Sequence, residues 1–456
     1  MDRRVDLIEA EDVLLFANAA ITSTGQREFR DSAERQRLSL EFLHAYVHGN
    51  YPDVYAAMLA LDVNEHNAAL IIFNLLRERT PADGELIARR LARMSPARVY
   101  RLFRRLRDAG VNNRRTRAII RDWLAARPDL AHDAVKYRSG LKAAVRHAHL
   151  RLGGELADFL FAPHRRRRYA HPLLEAWRRA HYDKTAVYEL PYTVAEGFAA
   201  RHGIPRAEFL ERIAPRLTAL ESLRLRESAA AHGVDTAADL ARMPLVRLAA
   251  YALSRPVGER RALEPALRAA AARVAGSGAG RWGHVVAVLD DSFSSYGSPT
   301  KRRRPLAVAL ACHYLLEALA SAYAGLWLSG ATDPIAVRPV GPTPLGRRIL
   351  DALALRPDRL LIVSDGWDNA PPGLAAEVLR VWRSRFDPAA EVEIVHLNPV
   401  YDAEEFEVRR LSPVVPTVGI RDPEDLPALV ELAQFAQGRT GLSTLRAYLR
   451  ERAAAR

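Results

Sequence analysis

Two rhythms of apolar and polar residues divide the chain. Up to about residue 275 the apolar positions recur at helical intervals. Glu34–His48, Val54–Leu61, His66–Arg77, Glu85–Met94, Pro96–Ala109, Arg114–Arg127 and Leu130–Val135 each read as a helix. Pro, Gly, Asn or Asp punctuates every junction, and Asn64 stands where the third helix needs a cap. No alternating strand pattern interrupts them. Paired helices with short loops predict a HEAT-like solenoid or ring, although no strict repeat length is present. Beyond residue 281 the rhythm changes. Val285–Leu289, Gly325–Ser329, Leu360–Val363, Glu391–His396 and Thr417–Ile420 are short apolar runs, most of them rich in β-branched residues. Such runs predict strands buried on both faces, and the helical stretches between them predict an α/β doubly wound, Rossmann-like sheet. Leu426–Gln437 would be its closing helix. Ala275–Gly280 is the clearest linker, so the expected division is 1–275, a linker at 276–281, and 282–456. Pro305–Leu328 is apolar enough to imitate a membrane span. His313, Glu317 and the small-residue break at Ser321–Gly325 make it a buried helix followed by a strand. Met1–Ala10 mixes charged with apolar residues and reads as no signal peptide.

The strand ends carry the candidate chemistry. Val285–Leu289 runs into Asp290-x-Ser292-x-Ser294, which gathers one carboxylate and two hydroxyls in a single turn. Thr343 lies in a Gly/Pro loop that opens a helix, and Asp365 ends the strand Leu360–Val363. All are oxygen ligands, which suits a hard divalent cation such as Mg²⁺. Open α/β sheets bind ligands just outside the carboxyl ends of their strands. The same residues also suit turns and helix N-caps. Asp291 either adds charge near the metal or caps the next turn. The order Asp-x-Ser-x-Ser, Thr, Asp resembles the metal-ion-dependent adhesion site of von Willebrand factor A (vWA) domains. The resemblance implies an incomplete oxygen shell whose vacant position takes a carboxylate or phosphate from a partner. No general base at fixed spacing, nucleophile elbow or phosphate-cradling glycine loop is evident, so binding rather than catalysis is expected.

Charge changes the picture for the first rhythm. Residues 282–456 carry 20 Lys+Arg and 21 Asp+Glu, whereas residues 1–281 carry 47 and 33. An excess confined to one part points that part towards a polyanion. Lys occurs only at positions 136, 142, 184 and 301, so Arg is favoured throughout; that bias does not explain the asymmetry. Lys142, Arg146 and His149 fall at helical spacing and would share one face. Arg165, Arg166, Arg167 and Arg168, followed by Tyr169, form an exposed basic run suited to phosphates or to plain solvation. Lys301–Arg304 is a second run, open to RNA or to a protein carboxylate. Cys312 is the only cysteine, which excludes an intrachain disulfide and fits a reducing, cytoplasmic setting.

Met94–Gly110, Asn112–Leu124 and Lys136–Leu150, in that order and joined to a vWA half, resemble the TROVE module of the Ro autoantigen family and its bacterial relatives. Arg242–Tyr251 is similar to the later helix of that module. The resemblance implies a ring of helical repeats closed by the vWA domain. It also implies small non-coding Y RNAs on the outer surface and single-stranded RNA ends in the hole. By that match Arg146 and His149 would sit at the Y-RNA surface. Leu141 and Lys142 follow Gly140 where the family carries tryptophan and histidine. Two functions remain open. One is an RNA-binding ring of the Ro type serving small or misfolded RNA. The other is a vWA adaptor that works with a MoxR-like AAA+ ATPase and binds no RNA.

Overall fold

The structure is a computed structural model that describes residues 3–80, 84–230, 232–233, 240–433, 435 and 441–455. It contains two compact units. One joins residues 1–68 to 241–456; the other is residues 69–240. The composition-based division at 276–281 therefore does not coincide with a boundary between units. There the chain makes a tight turn at Gly276–Gly278, then donates from Gly280 N–H to Ala318 O and from Trp282 N–H to Leu319 O.

The first unit is built on a parallel five-stranded sheet. Its strands are β1 (His284–Leu289), β4 (Ala322–Trp327), β5 (Arg359–Val363), β6 (Glu393–Asn398) and β7 (Thr417–Gly419), in the order β4-β1-β5-β6-β7. A short hairpin, β2 (Gly297–Ser298) with β3 (Lys301–Arg302), follows β1. Each expected strand is present within a few residues. Alternation sends Val286, Val288, Leu360, Ile362 and Ile394 into one core with the helices Leu345–Ala354 and Leu374–Val381. The opposite face takes the helix Arg304–Leu319, buried at every position from Pro305 to Leu316. That helix is apolar all round because the helices Leu245–Ser254 and Glu264–Ala275 cover its outer side. Among the described residues no helix is long and apolar enough to cross a membrane.

The sheet edge is covered by a helix that the pattern did not announce, α1 (Arg3–Thr22). Gly419 N–H in β7 donates to Asn18 Oδ1 at 2.9 Å, so α1 shields an edge strand that would otherwise be bare. Only glycine permits this approach: a Cβ at 419 would lie 2.7 Å from Thr22 Cγ2 and 2.9 Å from Asn18 O. The next helix, α2 (Ala33–Asn50), is tied to the loop after β6. Gln36 Nε2 donates to Tyr401 O (2.7 Å), and the Ser39 and Tyr401 hydroxyls lie 2.6 Å apart.

The second unit is helical throughout its described residues. Gly84–Arg93, Pro96–Asp108, Arg114–Ala125, Leu130–Lys136, Arg138–His147 and Gly154–Phe161 succeed one another, with four further helices to Ala230. The expected helices recur with ends shifted by a residue or two. Tyr100 and Phe103 pack edge-on against Trp123 in its core. Gly140 lets the helix Arg138–His147 cross against Tyr100, whose Cβ would meet an added Cβ at 2.7 Å. Beneath that crossing Asp133, fully buried, accepts from Tyr100 OH (2.8 Å) and Arg127 Nε (2.7 Å). Burial opposes its ionisation, but the neighbouring His132 and the hydrogen bonds from Arg127 and Tyr100 outweigh it and hold Asp133 at about 2.

Candidate metal centre and candidate RNA-binding surface

β1 and β5 are neighbours, and the chain reaches β4 on one side of β1 before crossing to β5 on the other. Their carboxyl ends therefore form a topological switch point. Asp290 follows β1 and its N–H donates to Val363 O at 3.0 Å, which locks the turn to the end of β5. Asp290 Oδ1 accepts from Ser292 N–H (2.8 Å), and the Ser292 and Ser294 hydroxyls are 3.2 Å apart. The Ser294 hydroxyl faces the Asp365 carboxylate across the cleft and favours its charged form. Asp290, Ser294 and Asp365 thus line one small cleft, together with Ser295 and Ser364. Thr343 reaches this edge through its loop: its N–H donates to Asn369 Oδ1 (2.8 Å), and Phe293 N–H donates to Gly341 O (3.1 Å). All five expected ligands are buried at the same end of the sheet. Asp291 is not one of them. It turns away to accept from Ser329 N–H (2.9 Å) and Ser329 Oγ (2.5 Å), where it caps the end of β4.

The electrostatics of the cleft are those of a site short of positive charge. Burial pushes Asp290 up to about 7, and the facing Asp365 carboxylate adds to the rise. Burial raises Asp365 as well, against the Ser294 hydroxyl, the Trp367 N–H and the charges of Arg30 and Arg409. The Ser295 hydroxyl is buried without a partner. Two facing acids and an orphaned hydroxyl fit a hard cation. Among the described residues no group of three or more His, Cys, Asp and Glu side chains gathers, so a zinc-type ligand set is not present there.

The basic candidates in the helical unit behave unequally. Lys142 and Arg146 share a face of Arg138–His147, and both lie over the Phe161 ring, at 5.7 and 5.4 Å from its centroid. Phe161 is itself exposed. His149 does not share that face, contrary to its spacing. The helix ends at His147; Leu150 N–H bonds back to Val145 O, and His149 takes a left-handed conformation (φ 54°) with Nε2 3.3 Å from Asn112 Nδ2. In the arginine run, Arg166 is taken up by Asp158 (2.5 Å) and Glu155 (3.6 Å), while Arg165, Arg167 and Arg168 are exposed. Tyr169 is core, packed edge-on against Phe159. The run Lys301–Arg304 is largely absorbed by packing. Lys301 is buried against Glu28, and Arg303 and Arg304 bond the carbonyls of Leu253 and Arg421. The carboxylate that meets Lys301 belongs to this chain.

Sequence reasoning missed the N-terminal segment's part in the surroundings of the candidate metal centre. Ser298 Oγ in the β2–β3 hairpin donates to Arg27 O (2.7 Å), and Ala403 N–H donates to Asp31 Oδ2 (2.8 Å). Arg30 stacks on Trp367, two residues beyond Asp365. No local motif marks residues 27–31; their role is set by packing alone.

Fold and site together define a protein with a helical unit and a doubly wound parallel sheet whose strand ends carry an oxygen-rich cluster. No family model and no curated protein matches the chain. Among solved structures, the crystal structure of the Deinococcus radiodurans RO (RSR) protein is similar over 82% of this chain and 91% of its own, with 16% identity and a TM-score of 0.43.

Proposed function

We propose that the chain is an RNA-binding protein of the Ro type. Its helical unit takes small non-coding or misfolded RNA, and its metal centre recognises a partner through Mg²⁺. The observation that carries the RNA reading is the distribution of charge between the compact units. Residues 69–240 hold 33 Lys+Arg and 19 Asp+Glu; the rest of the chain holds 34 and 35. The whole positive excess thus belongs to the helical unit, as a polyanion-binding module requires. Lys142 and Arg146 offer phosphate contacts beside the exposed Phe161 ring, on which a base can stack. Arg165, Arg167 and Arg168 widen the basic surface. Arg166 contributes less, since Asp158 already neutralises it.

Asp290, Ser292, Ser294, Thr343 and Asp365 would hold Mg²⁺, directly or through water. Bound there, the ion supplies an electrophilic position for an oxygen of the partner. The two carboxylates set its charge, Ser294 orients Asp365, and the Thr343 loop closes one side.

Filter binding of structured and single-stranded RNA to the full-length protein across a salt series tests the RNA reading. Each phosphate neutralised on a single strand contributes about −0.7 to the log–log slope, so several contacts give a steep fall in affinity. Replacing Arg165, Arg167 and Arg168 by Ser should weaken all RNAs alike, because phosphate contacts carry no sequence. Asp290→Ala should leave binding to RNA without terminal phosphates unchanged. Full-length protein with no salt-sensitive RNA binding would leave the AAA+ adaptor reading in its place.

A further inference from the structure

Arg30 and Arg409 lie over the Trp367 indole ring, 3.9 and 3.8 Å from it. They come from the loop before α2 and from the loop after β6, far apart in sequence. Among the described residues neither guanidinium has an ion pair or a side-chain hydrogen bond. This is unusual company in a chain whose arginines are so often paired with carboxylates, as at Arg166, Arg178, Arg206 and Arg268. Stacking uses the flat face of a guanidinium and leaves its N–H groups, which lie in the plane, free to donate. Trp367 therefore holds two donor forks without consuming either.

The plate is fixed to the metal centre. Trp367 N–H donates to Asp365 Oδ1 (3.1 Å), and Gly366 passes so close to Arg409 that an added Cβ would meet Arg409 O at 2.7 Å. Both arginine charges act on the Asp365 carboxylate. Phe293 stands between two expected ligands, 64% exposed and edge-on to Phe29 at 6.1 Å, and Arg30 lies 5.9 Å from that same Phe29 ring.

We propose that this centre receives a terminal phosphate of single-stranded RNA, with Arg30 and Arg409 as its clamp and Phe293 as the platform for the first base. The inference rests on the RNA and Mg²⁺ readings above. Charge decides between candidate guests. A divalent cation with two carboxylates is about neutral, so the two unpaired guanidinium groups set the charge the guest must bring. A carboxylate brings one negative charge and an internal phosphodiester brings one. A phosphate monoester approaches two, and it has three free oxygens, one for the metal and one for each fork. An aromatic ring open to solvent beside that position suits a nucleobase better than an acidic side chain.

The test uses the full-length protein and short oligouridylates bearing a 5′-phosphate, a 3′-phosphate, or hydroxyls at both ends, labelled internally and followed by fluorescence anisotropy in Mg²⁺ or EDTA. One phosphorylated end should bind at least about tenfold tighter than the hydroxyl form in Mg²⁺, the scale of one added charge-assisted contact. EDTA should erase that preference. So should the pair Arg30→Gln and Arg409→Gln, and so should Trp367→Leu, with a cooperative thermal melt that still rises with Mg²⁺ reporting an intact sheet unit in each variant. Equal affinity for all three oligonucleotides overturns the clamp and leaves the RNA reading standing. A phosphate preference that survives in the double variant or in EDTA also overturns it. Failure to bind any oligonucleotide removes both.

Discussion

Asp290→Asn should make the metal-free protein more stable at neutral pH. Asp290 and Asp365 are 5% and 9% exposed and face each other across one cleft. Burial, reinforced by Asp365, pushes Asp290 up to about 7, against about 3.9 for an aspartate in an unfolded chain. The folded state thus keeps a proton that the unfolded state gives up. For a carboxyl raised in this way, stability is full below about pH 4 and falls as pH climbs towards 7. Three pH units at 1.36 kcal/mol each put the loss on the order of 4 kcal/mol. Asparagine removes the charge but keeps an oxygen to accept from Ser292 N–H, so the turn survives. The assay is urea denaturation at a series of pH values in EDTA, read by tryptophan fluorescence. Wild type should lose that amount between pH 4 and 7 relative to the variant. Saturating Mg²⁺ should restore it to wild type at pH 7 and do little for the variant. Parallel pH profiles for the two proteins, with no effect of Mg²⁺ on either, would refute the coupling of the two carboxylates and the metal assignment with it.

Four other outcomes follow from particular contacts. Gly419→Ala should loosen α1 from the sheet edge at a cost of about 1–3 kcal/mol, the usual range for overpacking, and limited proteolysis should then cut near residues 22–32 first. Tyr100→Phe removes one of the donors to buried Asp133 and should cost about 1–2 kcal/mol at neutral pH. Asp133 is held down at about 2, so that penalty should persist above pH 4 and shrink as the carboxyl protonates in acid; a penalty independent of pH argues against the bond. Lys142→Ala with Arg146→Ala should flatten the salt slope for single-stranded RNA by about 1.4, two contacts' worth. Phe161→Ala should weaken binding without changing that slope, because stacking releases no counterions; filter binding across salt separates the two.

The sheet and the oxygen-rich turn at its carboxyl end were legible because both are written locally. A strand buried on both faces has to be a continuous apolar run, and Val285–Leu289 and Leu360–Val363 are such runs. The carboxylates and hydroxyls that follow them sit within a few residues of the strand ends. Features that depend on a distant partner were not legible. The apolar positions of α1 are interleaved with Glu9, Glu11 and Asp12, and besides α2 they pack against β7 and the helix Leu442–Ala455, some four hundred residues later. His149 failed for a different reason. Spacing counts residues on a helix that continues, but the chain leaves the helix at Ala148 through a left-handed histidine, where glycine would have given the signal. The arginine runs were ambiguous because a charge shows its role only through what it faces: Arg166 has Asp158, Lys301 has Glu28, and Arg165 is exposed.

The division of charge shows how far linear reading can mislead even when its arithmetic is correct. Residues 1–281 do carry the positive excess, yet two of the pieces inside that span belong elsewhere. Residues 1–68 hold 6 Lys+Arg and 12 Asp+Glu, and residues 241–281 hold 8 and 2. They cancel, and both fold with the sheet. The acidic N-terminal piece contributes Glu28 to neutralise buried Lys301 and Asp31 to hold the loop after β6, so its charges stabilise the sheet unit from within. Arg30, from that same acidic piece, has no ion pair among the described residues and is set against Trp367, two residues beyond Asp365. A net charge near zero for the unit thus conceals a local positive rim beside the carboxyl ends of β1 and β5, while the helical unit keeps the diffuse field suited to attracting a polyanion from a distance.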